Sequence, residues 1–286
     1  MKVDYIDRIK RVVDFLNKRV DSSPSLEELA KVARISPYHF HRVYRGVTGE
    51  TPFGTLRRLR IVRAAVMLRD TEKSITEIAF DVGYDSSQAF SRAFRQLAGC
   101  SASEARSNRQ QLLSLIKKLS GSSRAIADAT VEVRLVSVKP FKVIASRHRG
   151  PPESLFQAFG DLHDWAQANP RLEPFRGIYG IPIDEPLDEY DDGPRFDCCF
   201  DFGPNADSEG RYREVSLGDG LYAVTRHVGP YEGLETKYDS LYGRWLTSSQ
   251  YKVRDAWPYN HYLVDPSTLP PAQWETDIHI PIEEIT

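Results

Sequence analysis

Through the first hundred residues apolar side chains recur every three or four positions, and beyond residue 130 they alternate. Tyr5, Ile9, Val12, Val13, Leu16 and Val20 fall on one side of a helix, with Lys and Arg between them. Pro24 interrupts the pattern. Ser25, with Glu28 three residues on, predicts a capping box and a helix from Leu26 to about Arg34. Ser36 is the expected cap of the next helix, with Pro37 in its first turn. There Phe40, Val43 and Val47 share one side, with Tyr44 close by, while Tyr38, His41, Arg42 and Arg45 project from the other. A long helix is expected from about Thr55 to Arg69. Ser74 then caps a helix over 75–82, Gly83 turns the chain, and Ser86 starts another. In this last helix Phe90, Ala93, Phe94 and Leu97 point inward, leaving Ser87, Gln88, Ser91, Arg92 and Arg95 outward.

The two polar helices are copies. Phe40, Arg42, Tyr44, Arg45 and Gly49 recur as Phe90, Arg92, Phe94, Arg95 and Gly99, each 50 residues later. A short apolar helix precedes each, Leu26–Ala30 and Ile75–Ala79. Two helix-turn-helix units joined by one long helix are suited to two stretches of a DNA groove.

After residue 130 the period changes. Strands are expected over 131–136, 141–145, 178–181 and 196–202. A helix starting near Pro152 places Phe156, Phe159, Leu162, His163 and Ala166 on one face. A second repeat appears here. Arg147-His148-Arg149-Gly150-Pro151-Pro152-Glu153-Ser154-Leu155 matches Arg226-His227-Val228-Gly229-Pro230-Tyr231-Glu232-Gly233-Leu234 without a gap, six of the nine being identical. Each copy ends a strand, turns at Gly-Pro and starts a helix. The symmetric placement of His148 and His227 suits a structural turn hydrogen bond better than catalysis. The implied architecture is multidomain. An all-α domain with two helix-turn-helix units precedes an α+β domain of duplicated strand–helix–strand–strand units around a cleft. The expected bounds are 1–106, a connector over 107–128 with a Leu112–Leu119 helix, and 129–286.

Charge sharpens this division. Residues 1–124 hold 23 Lys/Arg against 13 Asp/Glu, whereas residues 125–286 hold 15 against 27. A basic half suits a polyanion such as double-stranded DNA; the acidic half has another task. Cys100 and the adjacent Cys198-Cys199 offer neither metal-ligand spacing nor a disulfide framework, so the adjacent pair reads as packing. No metal, cofactor or catalytic residue is expected. The charged start at Met1-Lys2-Val3-Asp4 and the lack of a bilayer-length apolar run predict a cytoplasmic protein without a membrane partner.

Ile75-Thr76-Glu77-Ile78-Ala79-Phe80-Asp81-Val82-Gly83-Tyr84-Asp85-Ser86, with Phe90-Ser91-Arg92-Ala93-Phe94-Arg95 and Gly99, resembles the signature of the AraC/XylS transcription regulators. Arg60-Ile61, Ala65 and Leu68 resemble that family's linker helix. Ala102 and Ala105 stand where the family usually has Pro and an aromatic residue. The resemblance implies base contacts from Tyr38, His41 and Arg42 in the first polar helix and from Ser87, Gln88, Ser91 and Arg92 in the second. Arg34, Arg45 and Arg95 are the expected phosphate contacts.

The acidic half resembles the GyrI-like effector-binding domain through its duplicated His-x-Gly-Pro turn, the 259–266 segment and the closing 276–282 strand. The order of domains is similar to that of Rob-type regulators. This implies a small-molecule effector that changes promoter binding or the contact with RNA polymerase, as an activator or a repressor. Trp257, Asn260 and Tyr262 match pocket positions of the resemblance; Phe156, Phe159 and Tyr179 join them from helix and strand geometry. Family members commonly carry Glu-x-Tyr-Leu-x-Asp-Pro, and this chain reads Asn260-His261-Tyr262-Leu263-Val264-Asp265-Pro266. An amide cannot attract a cation as a buried carboxylate does, so a neutral or mildly polar aromatic or amphiphilic effector is expected. Two alternatives stand beside the sensor. One is a hydrolase of small reactive molecules fused to a DNA binder; the other is a ligand-free protein-interaction module.

Overall fold

The computed structural model describes residues 3–121, 131–169, 172, 174–184, 192–204, 206–208 and 210–285, within two compact units, Tyr5–Ala125 and Ile126–Thr286, the latter grouped with Met1–Asp4. In the helical unit, α1 (Tyr5–Lys18) buries Tyr5, Ile9, Val12 and Leu16. The Ser25 hydroxyl caps α2 (Leu26–Ala33) by accepting the Glu28 amide. The Glu28 carboxylate turns to Arg19, at 3.7 Å, instead of completing the expected box. α3 (Pro37–Thr48) begins after Ser36, but that hydroxyl makes no cap bond. The His39 amide takes the Ser36 carbonyl instead, at 3.1 Å.

α4 (Pro52–Asp70) starts earlier than expected because Thr51 accepts the Gly54 amide and Pro52 fills the first turn. Its 19 residues span about 28 Å at 1.5 Å each. α4 touches α1 and α3 on one side of the unit; on the other it meets α5 (Ile75–Asp81) and α6 (Ser87–Ala98). Arg60 ties the two helix pairs together. Its Nε–H donates to Val20 O at 2.8 Å and its Nη2–H to Ser22 O at 2.9 Å, with the guanidinium 5.4 Å from the Tyr84 ring centre.

α7 (Ala102–Arg106) forms behind a full capping box of Ser101 and Glu104. Ala102 and Ala105 both lie in the core, where small side chains let the short helix approach closely. The connector expected over 107–128 is corrected. α8 (Arg109–Ser120) packs on α4 and α7, burying Leu112, Leu115 and Leu119 in the cluster that holds Phe90 and Phe94. That apolar stripe requires a partner face. Arg58 closes the contact, its Nη1–H donating to Leu119 O at 2.7 Å. The rest of the expected connector, 122–128, lies outside the described residues.

The second unit is a curled antiparallel sheet carrying two helices. Its strands are β1 (Arg134–Val138), β2 (Phe141–Arg149), β3 (Gly177–Pro182), β4 (Arg195–Asp201), β5 (Arg213–Leu217), β6 (Gly220–Val228), β7 (Tyr251–Val253), β8 (Tyr259–Tyr262) and β9 (Glu275–Glu284). The spatial order is β1-β6-β9-β8-β3-β4-β2-β5, with β7 paired to β9. α9 (Leu155–Gln167) follows β2, and α10 (Leu234–Ser240) follows β6 before a π-helical turn, Leu241–Leu246.

The order is symmetric about its centre. Moving outward, β8 and β3, β9 and β4, β6 and β2, then β1 and β5 are counterparts in the two repeats. At the centre Gly180 pairs with Asn260, and these two are themselves counterparts, so a pseudo-two-fold axis passes between them. The duplicated unit is one strand longer than expected, and its first strand is exchanged. β1 leads into β2 but pairs with β6; β5 leads into β6 but pairs with β2. Where the two links cross, a Cβ on Gly218 (φ 82°) would lie 2.4 Å from the Lys139 carbonyl, so only glycine fits.

Each repeat is held by one aspartate between two arginines. Asp197 on β4 binds Arg147 of β2 and Arg213 of β5; Asp277 on β9 binds Arg226 of β6 and Arg134 of β1. Burial pushes the Asp277 carboxyl up, but the hydrogen bond and charge of Arg226, with Arg134, win and hold it below the usual range. The repeated histidines act as turn locks: His148 Nε2 lies 3.1 Å from Ser154 Oγ, and His227 Nε2 lies 2.9 Å from Pro230 O. Cys198 and Cys199 are fully buried, and burial raises both thiols far above their ordinary range.

Candidate DNA interface and ligand cavity

The two polar helices differ in exposure. On α6, Gln88, Ser91, Arg92 and Arg95 are exposed, and their spacing of three, four and seven residues puts them on one face. Ser87 is half-buried, its hydroxyl 3.4 Å from the Gln88 side-chain oxygen. Below this face Phe90 and Phe94 are fully buried. The pattern supplies amide, hydroxyl and guanidinium groups over a rigid apolar base, the chemistry needed at base edges and phosphates.

On α3 the expectation of an open polar side is corrected. Tyr38 is 40% exposed, but His41, Arg42 and Arg45 are each 2% or less, as are Phe40, Val43 and Tyr44 on the apolar side. An amphipathic pattern marks the side that need not face a core; it does not keep that side open. Burial, then the charges of Arg42 and Arg45, keeps His41 well below the ordinary imidazole range. Arg34 is exposed and forms the turn between α2 and α3 in the left-handed region, φ 55°. Its carbonyl accepts from Arg8 at 2.6 Å. Gly83 holds the matching place in the second turn, at φ 87°.

In the sheet unit, α9, α10 and the centre of the sheet enclose a cavity of about 780 Å³. The pleat decides which side chains reach it. Asn260 and Tyr262 on β8 face it together with Ile178 of β3. Phe156 and Phe159 of α9 line it as expected. Tyr179 and Trp257 do not. Tyr179 pairs with His261 on the other face of the sheet, its ring stacked on that imidazole at 4.5 Å, and Trp257 packs in the same opposite cluster. Both assignments are corrected, Tyr179 by strand alternation and Trp257 by its packing in that cluster.

Several lining groups were not anticipated. Trp274 stands 4.5 Å from the Tyr231 ring and 6.0 Å from Phe156, making an aromatic wall at the entrance. Burial lifts the Tyr231 hydroxyl to about 12. Tyr238 of α10 was also missed, although it is the counterpart of Phe159 in the duplicated helix and could have been found that way.

Asn260, 3% exposed, is buried in the wall beside Tyr238. Its Oδ1 accepts the Tyr238 hydroxyl at 2.8 Å. The wall's carboxylates lie elsewhere. Glu153 and Glu232 are counterparts at the exposed rim, and Glu235 is half-buried on α10. Asp184 is held by Arg195 in a two-point contact of 2.7 and 2.8 Å. The Ser267 hydroxyl and amide keep Asp265 below the usual carboxylate range. Glu153 and Glu232, at the rim in water, discriminate weakly.

A family model for the GyrI-like small molecule binding domain matches residues 131–283, and one for a helix-turn-helix domain matches residues 29–108. The chain is an AraC-type DNA-binding regulator with a GyrI-like domain. The regulator is 36% identical over 88 residues to the regulatory protein SoxS of Salmonella typhimurium, covering 31% of this chain and 82% of the relative. It is 34% identical over 115 residues to the transposon Tn10 TetD protein of Escherichia coli, covering 38% and 83%. Among solved structures, that of an EcmrR–DNA complex matches 92% of the regulator and all of that chain, at 17% identity and a TM-score of 0.46. No helix among the regulator's described residues is long and apolar enough to cross a membrane.

Proposed function

We propose that this regulator senses a small aromatic molecule, neutral or amphiphilic, in the cavity of its GyrI-like domain. Occupancy changes promoter binding or a contact with RNA polymerase. The observation that carries the reading is an aromatic-walled cavity of about 780 Å³ with the buried Asn260 amide, not a carboxylate, in its floor. An amide has no net charge to balance a buried ion, but it serves a neutral polar group well.

Binding rather than turnover is favoured by the same floor. Asn260 carries no proton to exchange, and burial keeps the Tyr262 hydroxyl protonated. For DNA, Ser87, Gln88, Ser91 and Arg92 are assigned to base edges and Arg95 to phosphate. Tyr38, His41 and Arg42 join as base contacts, and Arg34 and Arg45 as phosphate contacts, in a state that opens α3. An effector shifts that balance only if it binds two states unequally.

The test has two arms. DNA selected from a random pool is compared with and without a metabolite extract, and Trp274 fluorescence reports occupancy. Quenching by aromatic metabolites together with an altered DNA yield is expected. Quenching that survives filling of the cavity by Phe159→Trp would place the ligand elsewhere.

A further inference from the structure

The pseudo-two-fold makes the cavity walls comparable position by position. Phe159 on α9 corresponds to Tyr238 on α10; Gly180 and Pro182 of β3 correspond to Asn260 and Tyr262 of β8. Phe159, Pro182, Tyr238, Asn260 and Tyr262 line the cavity, and Gly180 lies beneath it. The first repeat therefore offers phenyl, bare backbone and pyrrolidine. The second offers phenol, amide and phenol. Duplication would have permitted a symmetric cavity, and at these three positions one side of the axis is apolar and the other polar.

The polar side has a direction. The Tyr238 hydroxyl donates to Asn260 Oδ1 at 2.8 Å, which fixes the amide and leaves its Nδ2–H₂ as the free end. The Tyr262 phenol lies beside that amide, two residues along the strand on the same face, and the amide favours its oxygen as an acceptor. With Oδ1 turned to Tyr238 and Nδ2 towards the Tyr262 oxygen, the amide does not take the Tyr262 proton. A carboxylate at position 260 would capture that proton; the amide releases it. Gly180 makes room for this arrangement, since a Cβ there would lie 2.8 Å from the Tyr262 oxygen and 2.5 Å from the Phe196 ring.

We propose, building on the small-molecule reading above, that the effector is an aromatic compound bearing a hydrogen-bond acceptor oxygen, such as a ketone. Its ring lies against Phe159 of the first repeat, and its oxygen accepts the Tyr262 hydroxyl of the second. Tyr262 is the specificity-determining residue, and Tyr238 and Asn260 position it. A buried hydroxyl that finds no acceptor on the ligand is costly, so a hydrocarbon of the same shape is discriminated against.

A propionyl-dimethylaminonaphthalene dye, whose emission shifts to the red when its carbonyl accepts a hydrogen bond, tests this on the full chain beside its propyl analogue. The wild type is expected to bind the ketone about fivefold to tenfold more tightly than the propyl dye, with red-shifted emission. Tyr262→Phe should remove both the preference and the shift while leaving the propyl dye within twofold. Asn260→Asp, which recaptures the Tyr262 proton, should likewise abolish the preference. Equal binding of the two dyes to the wild type, or a preference that survives in Tyr262→Phe, overturns the donor assignment and leaves a small-molecule cavity intact. Binding of neither dye to the wild type overturns the aromatic-effector reading itself, and the donor assignment with it.

Discussion

In the helical unit the two copies keep Arg42 with Arg92 and Arg45 with Arg95 at matching places on the polar helices. In the sheet unit the copies are spaced more widely along the chain and keep Arg147 with Arg226 only where they grip a structural aspartate. The first duplication repeats the cations proposed above to meet DNA. The second preserved the frame and let the interior diverge, so that Tyr238, Asn260 and Tyr262 face Phe159, Gly180 and Pro182. The targets explain the difference. A duplex offers the same phosphate spacing to each reading unit, so repeating a cation is useful twice. A small molecule has unlike ends, and a symmetric pocket would recognise only one of them.

The comparison can be broken at its frame first. Asp197→Ala leaves Arg147 on β2 and Arg213 on the adjacent β5 without their counter-charge. We expect a loss of about 3 kcal/mol, towards the low end for a broken buried pair because both guanidiniums are partly in water. Urea unfolding followed by circular dichroism measures it. A change below about 1 kcal/mol would mean the repeats are held by the sheet alone.

Next comes the reading surface. Arg92→Ala is expected to relax base preference at one sub-site by about 2 kcal/mol, whereas Arg95→Ala weakens all sequences alike and flattens the salt dependence by about one ion. Binding to a panel of single-base operator variants separates the two outcomes. Uniform weakening in both mutants would reduce α6 to a phosphate contact.

A smaller effect should follow from making the cavity symmetric. Tyr238→Phe copies Phe159 into the second repeat and leaves the buried Asn260 oxygen without its donor. About 1.5 kcal/mol of stability should go, and the preference for an acceptor-bearing dye should weaken as the amide becomes free to turn. An unchanged preference would show that Asn260 is held by something other than Tyr238.

The mildest symmetrising change is at the turns. Arg34 adopts φ 55° where Gly83 of the other copy adopts 87°. Arg34→Gly trades left-handed strain against unfolded-state entropy, so thermal unfolding should report less than about 1 kcal/mol in either direction. A larger loss would assign the Arg34 side chain a stabilising contact in the folded unit.

Much of the architecture was legible because its signals are local. Ser25, Ser74 and Ser86 each begin a helix where their sequence context says they should, and the Gly-Pro turns fall at equivalent strand ends. What escaped depends on contacts distant in sequence. α8 looked like part of a connector because Leu112, Leu115 and Leu119 acquire meaning only when α4 offers them a face. The enclosure of Arg42 and Arg45 could not be read from periodicity, which is blind to what lies over a polar side. In the cavity, Phe156, Phe159, Asn260 and Tyr262 came from helix facing and resemblance. Tyr179 failed for want of a register. Once Asn260 is known to oppose Gly180, the odd-numbered positions of β3 must point away.

The exchanged first strand has a consequence for how such a domain could arise. A lone repeat would send β1 out with no β6 to receive it and would leave β2 open along one side. Two separate half-length chains could satisfy each other by swapping those strands, and the hollow now inside one polypeptide would then have been the seam between twins. Joining them end to end freed each half to mutate independently, and only after that fusion could opposite walls acquire unlike chemistry.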